Sequence, residues 1–175
     1  VEEGVIAKCA AFAAREHGDA RRALDLLRVA GEIAEREGSK KILLRHIDAA
    51  NQKIERDKTI DSIENAPRQF QLVLYSVMQL NEMKKNEMKN KGRKIGSIFT
   101  GDVYNTYNEL CRKTKNEVLT QRRVSDIIGE LDMLGIINAR VISKGRQGRT
   151  REIKLMMPTN INGKAFEILE EALSL

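Results

Sequence analysis

The chain has 175 residues, of which 41% are hydrophobic, and a formal net charge of +6 at pH 7. That length suffices for two small domains with modest cores, and no apolar run approaches the roughly 20 residues that a membrane span requires, so no membrane partner is expected. Cys9 and Cys111 lack CxxC spacing and lie on apolar helical stripes, which predicts reduced core thiols, a cytoplasmic protein and no metal site.

The positive charge is concentrated in the second part of the chain. Up to Ala66 there are 12 basic and 13 acidic residues, and after it 19 and 12, which gives net charges of −1 and +7. A positive field of this kind attracts polyanions and supports binding to phosphates, although it does not determine the fold. We therefore expect any polyanionic partner to bind the second part.

The first part predicts a small bundle of three helices. Apolar residues recur at helical spacing in Val5–Ala13, Ala23–Ala34 and about Leu44–Glu55. Gly18 is placed to end the first helix, and Asp19 to accept a hydrogen bond at the start of the second. The inward residues expected on the first two helices are Val5, Ile6, Cys9, Ala10, Ala13, Ala23, Leu24, Leu27, Ala30, Ile33 and Ala34. The polar residues 55–66, which precede Pro67, are expected to form a linker.

The junction between the first two helices places charge against local preference. Arg21 and Arg22 fall in the first turn of the second helix, where a cation opposes the helix dipole. Residues placed against local preference suggest a functional role. The alternative for Arg21 is a surface position with an ion pair to Asp25 one turn later.

Residues 17–28, HGDARRALDLLR, resemble the sensor 2 segment of AAA+ ATPases. The form is that of archaeal origin-recognition and cell-division-control type replication initiators. This resemblance covers essentially the whole chain and implies a mainly α fold with a small β-hairpin. The parts are a three-helix AAA+ lid bundle over residues 1–62 and a winged helix-turn-helix domain over residues 67–175. It also implies that Arg21 contacts the γ-phosphate of ATP bound in a preceding Rossmann-like domain.

The phosphate-binding parts of such an ATPase do not occur in this sequence. It contains no GxxxxGK[ST] loop and no hydrophobic strand that ends in paired acids, so nothing cradles phosphates or holds magnesium. We expect this chain alone to have no catalytic residues, no enzyme activity and no cofactor. The resemblance implies that it is the C-terminal part of a larger initiator with a missing N-terminal ATPase domain, and that the intact protein uses ATP and Mg²⁺.

The second part predicts further helices around a short sheet. Apolar residues at helical spacing follow Arg68 and Thr100, and a last helix is expected after Pro158. Residues Ile95–Phe99 are expected to form a short strand that pairs with a later hairpin. The lysine-rich residues 81–94 favour a solvated helix end and loop over direct contact with DNA.

A helix followed by a hairpin is predicted for residues 120–157. The helix begins at Thr120 as N-cap and ends at Gly135. Its apolar stripe consists of Val124, Ile127, Ile128, Leu131 and Leu134. Strands at about Ala139–Ser143 and Glu152–Met157 flank a loop with four cations in eight residues, Lys144, Arg146, Arg149 and Arg151. A helix with a basic start followed by a cationic hairpin is the order of parts in a winged helix-turn-helix.

Double-stranded DNA at replication origins is the predicted partner. Arg122 or Arg123 is expected to bind guanine, and Gln121 adenine. Asp126 either accepts from cytosine or orients Arg122. The hairpin is expected to contact phosphates or an adjacent minor groove. The predicted DNA-binding residues are Thr120, Gln121, Arg122, Arg123, Ser125, Asp126, Lys144, Arg146, Gln147, Arg149 and Arg151.

Two other functions remain open from the sequence. A winged-helix transcription regulator would use the same helix and hairpin, with the first part as an effector or dimerisation domain. A protein-interaction module would recruit a replicative helicase or other initiator subunits through its helices. In each of these roles the protein is expected in the cytoplasm, associated with the nucleoid.

Overall fold

The computed structural model describes residues 1–16, 18–91, 96–143, 145 and 148–175, with only the backbone at 88–91. The helices are α1 Val5–Arg15, α2 Ala20–Arg36, α3 Leu44–Glu64, α4 Arg68–Lys91, α5 Thr100–Lys113, α6 Gln121–Met133 and α7 Thr159–Leu173. The strands are β1 Ile98–Phe99, β2 Ile137–Ser143 and β3 Arg149–Leu155. Two compact units result, Val1–Asp61 and Ser62–Leu175.

The first unit is a helical bundle, as predicted. Its core is formed by α1, α2 and α3 and includes Val5, Cys9, Leu26, Val29, Ala30, Ile47 and Ala50. Asp19 caps α2, since its Oδ1 accepts from the Arg21 N–H at 2.9 Å. Gly18 precedes this cap with a φ of 72°, in the left-handed region that glycine adopts without strain. Burial raises the pKa of the Cys9 thiol, and the thiol is free.

Two predictions about the bundle were wrong in detail. The inward face of α2 is rotated, because Arg22 is buried whereas Leu24 is exposed. On α1, Ile6 and Ala10 also face solvent. The third helix does not end near Glu55 but continues to Glu64, so most of the expected linker is helical. Its polar residues lie on an exposed face, while the buried Ile60 and Ile63 continue the helical spacing.

The second unit combines α4 to α7 with a three-stranded antiparallel sheet. The strand order is β1-β3-β2, so the predicted first strand does pair with the hairpin, through Ile98 opposite Ile153. Ile95 lies outside the described residues. The last strand begins at Arg149, three residues earlier than predicted, because Arg149 pairs with Ser143. Helix-turn-helix, sheet and hairpin together confirm the predicted winged-helix arrangement.

Helix α4 is the central element of the second unit. It is buried on most sides from Phe70 to Met78 and packs against α5, α6, α7 and the sheet. Helix α7 lies on it through an edge-on contact between Tyr75 and Phe166, with ring centroids 5.1 Å apart. The Tyr75 hydroxyl also donates to Glu170 at 3.2 Å. These contacts give α5, α6 and the hairpin a rigid support.

Candidate nucleic-acid interface

The start of α6 is held in place by side chains from the preceding helix. The Tyr107 hydroxyl accepts from the Leu119 N–H at 3.0 Å, and the Tyr104 hydroxyl donates to the Leu119 carbonyl at 3.3 Å. Burial raises the pKa of the Tyr107 phenol. Thr120 then caps α6, its Oγ1 accepting from the Arg123 N–H at 3.3 Å. The first turn of α6 therefore has a defined position.

The inner face of α6 is the predicted stripe with one exception. Val124, Ile127, Ile128 and Leu131 are buried, but Leu134 is 60% exposed, so its predicted core position is wrong. The helix ends at Met133 and Gly135 takes a φ of 69°, which turns the chain out of the helical path. Ile136 enters the core instead, with 3% of its surface exposed.

The two arginines at the start of α6 have different surroundings. Arg123 lies 4.0 Å from Asp126 and 3.9 Å from Glu130 on the same helix. Arg122 is exposed and forms no ion pair with any described residue. Asp126 thus pairs with Arg123 and not with Arg122, which is the arginine that one alternative from the sequence expected it to orient. Of these two arginines, Arg122 can bind a ligand without first breaking an ion pair with a described carboxylate.

The start of α6, the start of α5 and the hairpin line one open groove of about 570 Å³. Its lining residues are Thr100, Gly101, Gln121, Arg122, Ser125, Asp126, Val141, Arg149, Thr150 and Arg151. The structure therefore brings together six of the predicted DNA-binding residues. Thr120 and Arg123 are not among the lining residues, and Lys144, Arg146 and Gln147 lie outside the described residues.

Four lining residues were not predicted from the sequence: Thr100, Gly101, Val141 and Thr150. Val141 differs from the other three because it is a large apolar residue, yet 58% of its surface is exposed. The sequence contains a signal for it, since Val141 alternates with Ile142 and one of two adjacent apolar residues in a strand must face outward. Thr100 and Gly101 carried no comparable signal, because their place depends on how α5 packs.

The charge of the groove favours an anionic ligand. Three guanidinium groups, those of Arg122, Arg149 and Arg151, line it together with one carboxylate, that of Asp126. Arg149 is exposed and has no ion-pair partner in the described part of the chain. Guanidinium groups bind phosphate and guanine through paired N–H donors. A groove of this composition, open along its length, suits a nucleic acid.

A second arginine site lies at the start of α2. Arg21 is exposed, and no described residue pairs with it. Asp25, its alternative partner, lies 3.8 Å from Arg28. Arg22 is 8% exposed and donates to Glu16 at 3.1 Å, Asn51 at 2.9 Å and Glu55 at 2.5 Å. The two adjacent arginines thus have opposite environments.

Glu16 links the Arg22 cluster to Lys58. The Lys58 ammonium lies 3.0 Å from Glu16, and this hydrogen bond, followed by the charge of Arg22, lowers the pKa of the Glu16 carboxyl. The cluster joins the end of α1, the start of α2 and the middle of α3. Arg22 therefore stabilises the bundle, a role that the sequence analysis did not assign to it.

Two further kinds of site are absent from the described residues. None of their helices has both the length and the apolar character needed to cross a membrane. Among the same residues, no three His, Cys, Asp or Glu side chains are grouped so that they could hold a metal ion.

Comparison with known proteins decides the family. Residues 61–165 match the family described as CDC6, C terminal winged helix domain, and residues 1–52 match the Cdc6 AAA+ ATPase-type lid domain. The chain belongs to the ORC1/Cdc6 family of replication initiators. The predicted fold class, a helical lid followed by a winged helix domain, is confirmed with it.

The sequence similarity to individual ORC1-type relatives extends over almost the whole chain. It is 53% identical to ORC1-type DNA replication protein 1 of Methanosarcina mazei over 94% of its length, but spans 38% of that protein. With the ORC1-type DNA replication protein of Pyrococcus abyssi the identity is 55%, over 89% of this chain and 35% of the relative. The chain therefore spans less than two fifths of these relatives.

One solved ORC1 structure resembles the chain closely. It is described as the Aeropyrum pernix ORC1 protein in complex with DNA, has 45% sequence identity and superposes with a TM-score of 0.72. The similarity covers 97% of this chain and 41% of that one.

Proposed function

We propose that this chain binds double-stranded DNA at replication origins through the groove between α6 and the hairpin. One observation carries the proposal: the start of α6 and the hairpin line the same groove, and Arg122 and Arg149 face it without ion-pair partners among the described residues. A helix start and a β-ribbon side by side are the two parts with which winged helices bind duplex DNA.

The roles of the lining residues follow from where they stand. Arg122 and Gln121, on the first turn of α6, are the base-reading candidates for guanine and adenine. Ser125 and Asp126 lie one turn further along, where Asp126 can accept from cytosine N4. Arg149 contacts phosphate, and so do Lys144, Arg146 and Gln147, on the basis of their sequence alone. Thr120 and Arg123 contribute phosphate contacts.

Similarity to a solved protein–DNA complex supports this assignment. The Aeropyrum pernix ORC1 protein, 45% identical over 97% of this chain, is described in complex with DNA. Family membership also favours an initiator over the transcription regulator that the sequence left open. Since DNA is the ligand, the cell interior at the nucleoid is the proposed location.

The remaining proposals concern the intact initiator. We propose that residues 1–62 form its AAA+ lid and residues 67–175 its winged-helix domain. ATP and Mg²⁺ would be bound by a preceding ATPase domain, and Arg21, exposed and unpaired among described residues, would contact the γ-phosphate. This chain alone has no ATPase activity. Other initiator subunits and a replicative helicase are its proposed protein partners.

Fluorescence anisotropy with a labelled duplex tests DNA binding. The chain is expected to bind random duplex with an affinity that falls steeply as salt rises, because phosphate contacts release counterions. Arg149→Ala should weaken binding to every duplex and reduce the salt slope by about one. Arg28→Ala, which removes an exposed arginine from the first unit, is the control for the loss of charge. Absence of salt-dependent binding, or equal losses in both variants, contradicts the proposal.

A further inference from the structure

Arg151 is the groove arginine with protein partners. Its Nη1 donates to the Ser125 carbonyl of α6 at 2.9 Å. Its backbone N–H donates to Oγ1 of Thr100, the first residue of α5, at 3.4 Å. One residue of β3 is thus bonded to both helices of the helix-turn-helix. We refer to these two contacts as the Arg151 bridge.

Gly129 leaves space for the contact between Arg151 and α6. It lies one turn after Ser125, so its missing side chain leaves the second lone pair of the Ser125 carbonyl accessible. A Cβ atom at this position would stand 3.4 Å from Arg151 Nη1, at the limit of van der Waals contact, so the further carbon atoms of a β-branched side chain are expected to crowd the guanidinium. Glycine here is otherwise unfavourable, because it costs about 1 kcal/mol relative to alanine in a helix interior.

We propose that Arg151 is a positioning residue, which fixes the distance between the hairpin and the start of α6 and thereby the base selectivity of the groove. This inference rests on the proposed function. A base-reading helix contacts its bases correctly only when the hairpin engages the backbone at a fixed offset. Arg151 sets that offset through its contacts with Ser125 and Thr100. Arg149 lacks such partners in the described residues and contributes only its positive charge to phosphate binding.

Two glycine substitutions separate position from charge. Gly129→Val displaces the guanidinium but removes no charge, and valine is no worse than glycine in a helix interior. Gly163→Val in α7 is the matched control, since a Cβ there meets nothing within 4 Å. Arg151→Ala removes the side-chain contact of the bridge together with a charge, and Arg149→Ala removes a charge only.

The first measurement needs no DNA. Order parameters from ¹⁵N relaxation report fast motion of the hairpin amides at Ile142, Ser143 and Thr150. They are expected to fall in Gly129→Val and Arg151→Ala and to stay unchanged in Gly163→Val and Arg149→Ala. Unchanged hairpin amides in Gly129→Val and Arg151→Ala would overturn the bridge.

The second measurement compares a duplex enriched from a random pool by the wild-type chain with random duplex, over a range of salt. Gly129→Val is expected to lower the ratio of the two affinities at least about fivefold with the salt slope unchanged. Arg149→Ala should lower the slope by about one and keep the ratio. If Gly129→Val keeps the wild-type ratio, the selectivity role is wrong. If the wild-type chain binds no duplex while the hairpin loosens as expected, the proposed function fails and the bridge stands.

Discussion

Replacing Arg122 by alanine is expected to reduce sequence selectivity far more than replacing Arg123. The two residues are neighbours of the same type on one exposed helix turn. Helix propensity and net charge therefore change equally in the two variants. Any difference between them comes from the surroundings of each guanidinium, which makes Arg123→Ala the matched control.

The size of the effect follows from the ion pairs. A bidentate arginine–guanine contact discriminates by about 1–3 kcal/mol, or about 5- to 150-fold in affinity. Arg123 must leave Asp126 and Glu130 to make such a contact, and exposed pairs are worth about 0.2–1 kcal/mol each. That cost offsets much of the gain for Arg123. Arg122 has no described ion pair to break and retains the full value.

The assay is competition anisotropy on the enriched and the random duplex, between about 50 and 200 mM salt. Arg122→Ala should lower the affinity ratio about 5- to 150-fold, whereas Arg123→Ala should weaken both duplexes alike. Thermal unfolding should be unchanged in both, since exposed substitutions alter stability by about 0.5 kcal/mol or less. Equal losses of selectivity, or a larger loss for Arg123→Ala, would refute the reasoning.

Three further predictions concern stability. Arg22→Ala should lower the free energy of unfolding by about 1–3 kcal/mol in urea melts, because its hydrogen-bonded acids lose their partner yet remain partly solvated. The pKa of Glu16 is lower in the folded chain than its ordinary value of 4.5, so stability should fall as pH drops below about 4.5. Lys58→Met should reduce that pH dependence, and an unchanged acid profile would contradict it. Tyr107→Phe should cost about 1–3 kcal/mol, because the Leu119 N–H loses its acceptor; a melt identical to wild type would show otherwise.

Helix ends that carry a capping residue or a terminal glycine were predictable, because these signals are local. Asp19 and Thr120 each cap a helix whose first amides lie within three residues. Gly135 ends α6 with a left-handed φ, as its position after an apolar stripe predicted. Such signals need only the neighbouring residues, and for that reason they survive in any context that allows the helix.

Helix faces and side-chain partners were predicted less well, because they depend on distant residues. Leu24 was expected inside, but Arg22 takes the buried position through Glu16 and Glu55, which come from other helices. By its spacing in the sequence, Leu134 belongs to the apolar stripe of α6, but the helix ends at Met133, one residue earlier. The spacing of apolar residues alone predicts neither the burial of Arg22 nor the exposure of Leu134.

The sequence alone determined three features: the order of the structural elements, the basic second part and the segment that resembles sensor 2. These three features were sufficient to predict the family. Which arginines have protein partners was decided only by the tertiary structure. The sequence does not distinguish Arg122, Arg149 and Arg151 from one another. In the folded chain, however, Arg151 donates a hydrogen bond to a carbonyl 26 residues away in α6. A guanidinium acts as ligand or support according to what lies within about 3 Å of it, and chain folding alone sets those neighbours.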